Sequence, residues 1–152
     1  MDIAIKLLTL LVAGSLAGNE LAVAAFIHPV FYSVPDGAHA IVVKPLAKRL
    51  GTFMPFWYGA SLLLALVELV TLRSSPQAAW WLCCAAAVLL AIIIVLTILL
   101  AVPINNRIAA MDVERVPSDW LSMRRRWDGY HQIRVTLLFV VLILLILAVL
   151  LR

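Results

Sequence analysis

The 152-residue chain is 65% hydrophobic and only 13% charged, with a mean hydropathy of +1.09. Soluble domains are about half apolar and about a quarter charged, so this composition excludes a soluble fold and requires one integral membrane domain. In such a chain a net charge of +4 belongs to cationic loops on one side of the bilayer, and nucleic-acid binding is excluded as its cause.

Apolar runs longer than ~18 residues mark the spans. The first covers about residues 3–27. Its start, with Ala22-Val23-Ala24 behind an apolar core, has the form of a signal peptide. The apolar run nevertheless continues to His28 and holds Asn19 and Glu20, so it is read as a retained span. Gly14 and Gly18, with Ala22 one turn on, give this helix a close-packing face and a candidate homo-oligomer contact. His28-Pro29 is expected to end the helix, and Tyr32 to Gly37 reads as a turn. Residues 38–50 are amphipathic, with Ile41, Val42, Leu46 and Leu50 against Lys44, Lys48 and Arg49. They predict a short interfacial helix in loop one, interrupted at Pro45, with His39 exposed on it.

A second span is expected over 53–72. Pro55 suits its first turn, Trp57 and Tyr58 an interfacial belt, and Glu68 a solvated or snorkelling position near the far end. The short turn from Arg73 to Gln77 makes the third span, 79–102, its antiparallel neighbour. Trp80 and Trp81 anchor that span and Pro103 is expected to end it. Cys83 and Cys84 are read as small core residues, since adjacent cysteines do not form an ordinary disulfide and no Cys-x-x-Cys is present. After a polar loop, Ser118 or Asp119 can cap a last helix. It starts near 119 and runs to 151, about 50 Å at 1.5 Å per residue, so only 131–151 need cross the membrane and the first turns extend into the cytoplasm.

The fold class is therefore all-α: a single four-span membrane domain, residues 1–152, built as a four-helix bundle. Loops one and three carry Lys44, Lys48, Arg49, Arg107, Arg115, Arg124, Arg125 and Arg126, against Lys6, Arg73 and Arg152 on the other side. The positive-inside rule places both long loops in the cytoplasm and both termini outside, with a bacterial inner membrane as the expected location.

Chemistry concentrates in Trp120–Arg134. Helical steps of four and three put Trp120, Arg124, Trp127, His131 and Arg134 on one stripe that runs down into the last span. Arg124 to Arg126 is also a simple headgroup-binding run. Ionisable groups at membrane depth are costly and need a partner or a job. For Glu20 that is either a proton acceptor in a buried pocket or an ion pair with an arginine or protonated histidine from another helix. His28, His131, Asn105 and Asn106 are expected at the cytoplasmic ends of their spans, lining one pocket with Trp127 and Arg134. Two histidines with a carboxylate suit non-haem iron, and His28 with His131 would suit a haem. No spacing motif enforces either, so no metal or cofactor is predicted. The Walker, dinucleotide, Gly-x-Ser-x-Gly and zinc motifs are all missing, which disfavours those enzyme classes, and broken-helix symmetry of a transporter is not evident.

Pro103-Ile104-Asn105-Asn106-Arg107, then Trp120, then Arg126-Trp127-Asp128-x-x-His131-x-x-Arg134 resembles the signature of the anthrone oxygenase-like membrane proteins. The four-span layout and the polar Gly-Asn-Glu element of the first span extend the resemblance over essentially the whole chain. It implies a membrane oxygenase that oxidises a lipophilic aromatic anthrone with molecular oxygen as co-substrate, without a flavin or haem motif. On that reading His131 or His28 is the base, helped by Glu20. Arg134, Asn105 and Asn106 stabilise the oxyanion, and Trp120 and Trp127 stack on the ring. The alternative is a non-enzymatic membrane module that binds a small hydrophobic ligand or a partner membrane protein.

Overall fold

A computed structural model describes residues 2–74 and 76–151. Met1, Ser75 of the expected turn and Arg152 of the orientation count lie outside them. Among the described residues every regular element is helical. In order these are α1 (Asp2–Ala22), a π turn (Val23–Ile27), α2 (His28–Phe31), α3 (Asp36–Thr71), a 3₁₀ turn (Leu72–Ser74), α4 (Gln77–Leu96), a second π turn (Thr97–Ala101), α5 (Val102–Ala110) and α6 (Trp120–Leu150). Four continuous helical stretches, Ile3–Phe31, Asp36–Thr71, Gln77–Ala110 and Trp120–Leu150, are long and apolar enough to cross a membrane. The protein is thus an all-α, multi-pass membrane bundle.

The helices form a ring in which α1 packs on α3, α3 on α4, α4 on α6 and α6 back on α1. Small residues let them approach: Ala13, Ala17, Ala65, Ala79, Ala86, Ala87 and Ala148 are buried in the main core beside Leu16, Leu90, Ile93 and Val141. Close van der Waals packing is what joins helices in lipid, where outward Leu and Ile lose nothing by exposure. Ile3, Leu11, Phe53, Leu63, Ile92 and Ile143 all face outward. Gly14 packs against Leu142 of α6, whereas Gly18 has open space where a side chain would be. Buried Cys83 and half-buried Cys84 are free thiols, and Cys83 Sγ lies 3.4 Å from the Ala65 carbonyl.

Prolines shape the fold differently from expectation. Pro29 does not end the first helix, which runs on to Phe31, nor does Pro103 end the third, which reaches Ala110. Proline removes one donor and its ring presses on the carbonyl four residues back. In both helices that carbonyl, of Ala25 or Leu99, lies within a π turn that ends two residues before the proline. The wider turn absorbs the clash as a helix continues. The first and third membrane helices therefore share one local device, a π turn just before a proline that the helix continues through.

Pro45 and Pro55 are both accommodated inside α3. The amphipathic stretch expected as a separate interfacial helix is its first part, continuous with the second span. His39, expected to be exposed, is 1% exposed. Its ring packs against Phe31, Tyr32 and Trp120, because α3 starts beneath the loop ends instead of lying out on headgroups. Glu68, expected solvated or snorkelling, is 3% exposed and accepts from the Thr71 hydroxyl at 3.2 Å. A second core of Ala40, Val43, Ile108, Met111, Trp120 and Met123 closes this end of the bundle. Asp119 stands at the N-cap of α6 without capping it. Its carboxylate instead takes two hydrogen bonds from Arg107, at 2.7 and 2.8 Å, which hold it below the usual carboxylate range.

Candidate functional site

The stripe on α6 faces inward: Trp120, Arg124, Trp127 and His131 are buried, and Arg134 is half-buried. Of these, His131 and Arg134 meet Glu20 of α1. Arg134 Nη2 donates to Glu20 Oε2 at 2.8 Å and lies 2.8 Å from His131 Nδ1. His131 Nδ1 is itself 3.0 Å from Glu20 Oε2. The second carboxylate oxygen, Oε1, accepts from the Tyr58 hydroxyl at 3.0 Å, and Arg134 Nη1 donates to Thr97 Oγ1 at 3.4 Å. Four helices thus contribute to one carboxylate and its cation.

The network assigns the histidine tautomer. His131 Nε2 lies 3.1 Å from the Glu20 main-chain carbonyl, an acceptor only, so Nε2 carries a proton. Nδ1 is then the acceptor nitrogen, 2.8 Å from the donor-only Arg134 Nη2 and 3.0 Å from Glu20 Oε2, and can take up a proton that Glu20 passes to it. A carboxylate and an imidazole beside a guanidinium form a couple that moves one proton over 3.0 Å without moving any atom far. Such pairs are the usual instruments of general acid–base chemistry.

This group lies on the wall of a cavity of about 240 Å³, lined also by Asn19 and Asn105 and by apolar side chains such as Val23, Leu50, Met54, Ile94 and Val102. Glu20, Asn105, Trp127, His131 and Arg134 all line it. Gly51, Pro55, Gly59 and Ile98 on its rim are exposed, so the mouth opens between α3 and the π turn after α4.

His28 does not line this cavity. It sits beside it, with its ring centroid 5.3 Å from His131 and 4.9 Å from Trp127. His28 Nδ1 is held by Asp128 Oδ1 at 2.8 Å, and Arg124 approaches the same carboxylate oxygen at 3.3 Å. Tyr32 donates its hydroxyl to the other oxygen of Asp128. Partial burial, and then the Asp128 charge, raise the Tyr32 pKa above its ordinary value, so this hydroxyl stays a donor. Arg124 thus belongs to this buried cluster, while Arg125 and Arg126 are exposed. Asn106 is exposed on α5, and Trp120 is buried in the second core, away from the cavity.

The sequence gives Tyr58 only an interfacial-belt reading and Asp128 only a place in the family signature, with no site role for either. Tyr58 looked like one of a pair of belt aromatics, and nothing in the spacing linked it to Glu20. Asp128 did carry a signal: it lies four residues after Arg124, inside the stripe segment, where an i,i+4 ion pair forms.

As for metal binding, no group of three or more His, Cys, Asp and Glu side chains is arranged to hold an ion among the described residues. The remaining His28 nitrogen, Nε2, faces Arg124 Nη2 at 3.5 Å, a cation where a metal would have to sit.

The sequence profile of the anthrone oxygenase family matches residues 46–144. That stretch includes Tyr58, Asn105, Trp127, His131 and Arg134, while Glu20 and His28 precede it. No curated protein and no solved structure matches the chain. On a match covering well over half of its length, the chain belongs to the anthrone oxygenase family.

Proposed function

We propose that this protein is a membrane oxygenase whose cavity takes a flat, lipophilic aromatic ketone of anthrone type from the bilayer. The Glu20–His131 couple then removes an acidic proton from the methylene that faces the carbonyl across the central ring and is conjugated to it through the flanking arenes. The observation that carries this reading is the contact of Glu20, His131 and Arg134 in the wall of a largely apolar cavity. A carboxylate of this kind abstracts a proton well only if the proton can be stored, and His131 Nδ1 provides the store. Arg134 stays cationic beside both and opposes the negative charge that develops on the substrate oxygen. The amide of Asn105, on the same lining, can add a hydrogen bond.

The resulting carbanion is electron-rich enough to react with molecular oxygen, the co-substrate. Two hydrogens leave the reacting carbon. One oxygen atom stays on that carbon as a new carbonyl and the other departs as water, so the oxidation of the ring carbon and oxygen's four-electron reduction balance within one turnover. The couple holds the first proton while oxygen adds and returns it to the leaving oxygen. No flavin, haem or metal enters this proposal. Both termini lie outside and the long basic loops lie in the cytoplasm, which sets the His28 end of the site at the cytoplasmic leaflet of a bacterial inner membrane.

Purified protein in lipid nanodiscs should consume oxygen and form quinone absorbance when given anthrone. Glu20→Gln and His131→Ala should each slow this at least roughly a hundredfold, the range of a lost general base. Wild-type uptake no faster than empty nanodiscs would overturn the oxygenase reading.

A further inference from the structure

A second hollow lies beside the site, between α4 and α6, where the π turn Thr97–Ala101 passes the last helix. It measures about 150 Å³. Apart from Thr97, Tyr130 and Arg134 its lining is aliphatic, with Ile93, Leu96 and Leu100 on one side and Ile133 and Leu137 on the other. Leu96, Leu100 and Ile133 are exposed, so the hollow opens on the outer, apolar surface of the bundle. Thr97 and Arg134 line the large cavity as well. These two side chains are therefore a wall common to both spaces. Arg134 Nη1 meets Thr97 Oγ1 at 3.4 Å, longer than the usual hydrogen bond.

The lining selects the occupant. Apolar cavities of about 150 Å³ stay dry and take up benzene or xenon, so this hollow suits a small, uncharged, apolar molecule. The flat three-ring ketone belongs in the larger space, about 240 Å³, where Glu20 and His131 stand. Once seated there it lies between its own mouth and the couple, and the co-substrate needs another way in. Molecular oxygen is small and apolar and dissolves better in hydrocarbon than in water. Arg134, on the wall of the hollow, lies 2.8 Å from both Glu20 and His131, so oxygen held there is one side chain away from the couple.

We infer that the hollow between α4 and α6 is a dioxygen site, which takes oxygen from the bilayer and passes it beside the Thr97–Arg134 pair to the substrate in the large cavity. The need for oxygen rests on the proposed function; the size, lining and position of the hollow do not. Substrate and co-substrate then enter from opposite sides of the π turn, since Ile98 of that turn lines the large cavity and Leu100 and Ala101 line the hollow.

Oxygen is paramagnetic and broadens the methyl resonances it approaches, so its site can be found without turnover. Protein with isotope-labelled isoleucine and leucine methyl groups, in phosphatidylcholine nanodiscs and without anthrone, is compared under nitrogen and under oxygen. Ile93 is buried yet lines the hollow. It should broaden as much as Ile92, its exposed neighbour, and severalfold more than Leu90, buried one turn away in the main core. Ile133→Trp and Leu96→Trp each place an indole on the exposed rim, from different helices, and should bring Ile93 down toward Leu90. In turnover both should raise the oxygen concentration for half-maximal rate severalfold, while the anthrone concentration for half-maximal rate and the rate at saturating oxygen stay at wild-type values. An Ile93 methyl shielded like Leu90 in wild type would overturn the site, and cross-peaks from it to lipid methylenes would then make the hollow an acyl-chain groove. Unchanged oxygen dependence in whichever variants fold would overturn the route. In either case wild type still consumes oxygen with anthrone. Wild type that consumes none would instead overturn the proposed function, and the role of the hollow with it.

Discussion

Glu20 and Arg134, 114 positions apart in the chain, meet at 2.8 Å in the middle of the bundle. The contact ties the first helix to the last, and both side chains are largely withdrawn from solvent, at 2% and 13% exposure. Removing one partner of a buried pair leaves the other charge uncompensated, a loss of about 3–5 kcal/mol. Glu20→Ala should therefore lower the thermal unfolding midpoint sharply, and Glu20→Gln much less, because its amide oxygen still accepts from Arg134 while its NH2 can donate to the Tyr58 hydroxyl oxygen. The double variant Glu20→Gln/Arg134→Gln should recover part of the loss seen in Arg134→Gln alone. Strictly additive midpoints followed by tryptophan fluorescence would show that the two side chains are not energetically coupled.

Tyr58 offers a separable probe of the same carboxylate. Its hydroxyl gives one hydrogen bond to Glu20 Oε1, and Tyr58→Phe should cost about 1 kcal/mol of stability. The orientation of the Glu20–His131 couple should loosen with it, so oxygen uptake should fall with little change in the anthrone concentration for half-maximal rate. A rise in that concentration alone would place Tyr58 in substrate binding.

Much of this site is legible in the amino-acid pattern alone. The four spans follow from apolar run length, and the inward stripe from steps of three and four, which bury Arg124, Trp127 and His131 together. That Glu20 needs a partner follows from the expense of a carboxylate at membrane depth. Which partner it finds depends on the rotation of α1 against α6, and no local pattern encodes that. The proline rules misread Pro29 and Pro103 because they describe an α-helix, and a π turn before the proline removes the clash those rules rely on. His39 and Glu68 looked solvated since single polar residues usually are. Their burial arises from the loop ends folding over α3 and from the packing of α3 on α4.

The His28–Asp128–Arg124 cluster predicts a specific epistasis. Asp128→Asn removes the charge facing Arg124, which is 3% exposed, and frees the His28 ring to turn. Stability should fall, and Arg124→Met should restore it in the double variant by removing the stranded cation. Circular dichroism melts of the three variants decide this: a double variant less stable than either single would show that Arg124 is held by something other than Asp128.

Tyr32 should give the protein an alkaline limit. Its pKa is raised in the folded state above the ordinary 10.0 by burial and by Asp128. The protonated hydroxyl therefore contributes fully below the ordinary value, and its contribution is lost as pH rises toward the higher folded value. Stability should decline from about pH 10 upward in wild type, and Tyr32→Phe should flatten that decline while lowering stability at neutral pH. An unchanged slope in Tyr32→Phe would assign the alkaline limit to other groups.

Gly59 tests whether the lateral mouth is the way in. It lies on the lining of the large cavity, inside α3, and a Cβ there would meet nothing within 4 Å. Gly59→Ala should consequently stabilise the helix by roughly 0.5–1 kcal/mol through reduced backbone freedom in the unfolded chain, with anthrone binding retained. Gly59→Trp places an indole in the same open space, between the bilayer and the Glu20–His131–Arg134 wall. If ligand enters between α3 and the π turn after α4, this variant should keep its unfolding midpoint and lose anthrone binding by at least roughly tenfold, since the ring takes up the volume a flat ligand needs. Full binding in Gly59→Trp, with the fold intact, would mean that the ligand arrives from the loop end of the bundle, past His28 and Asn105.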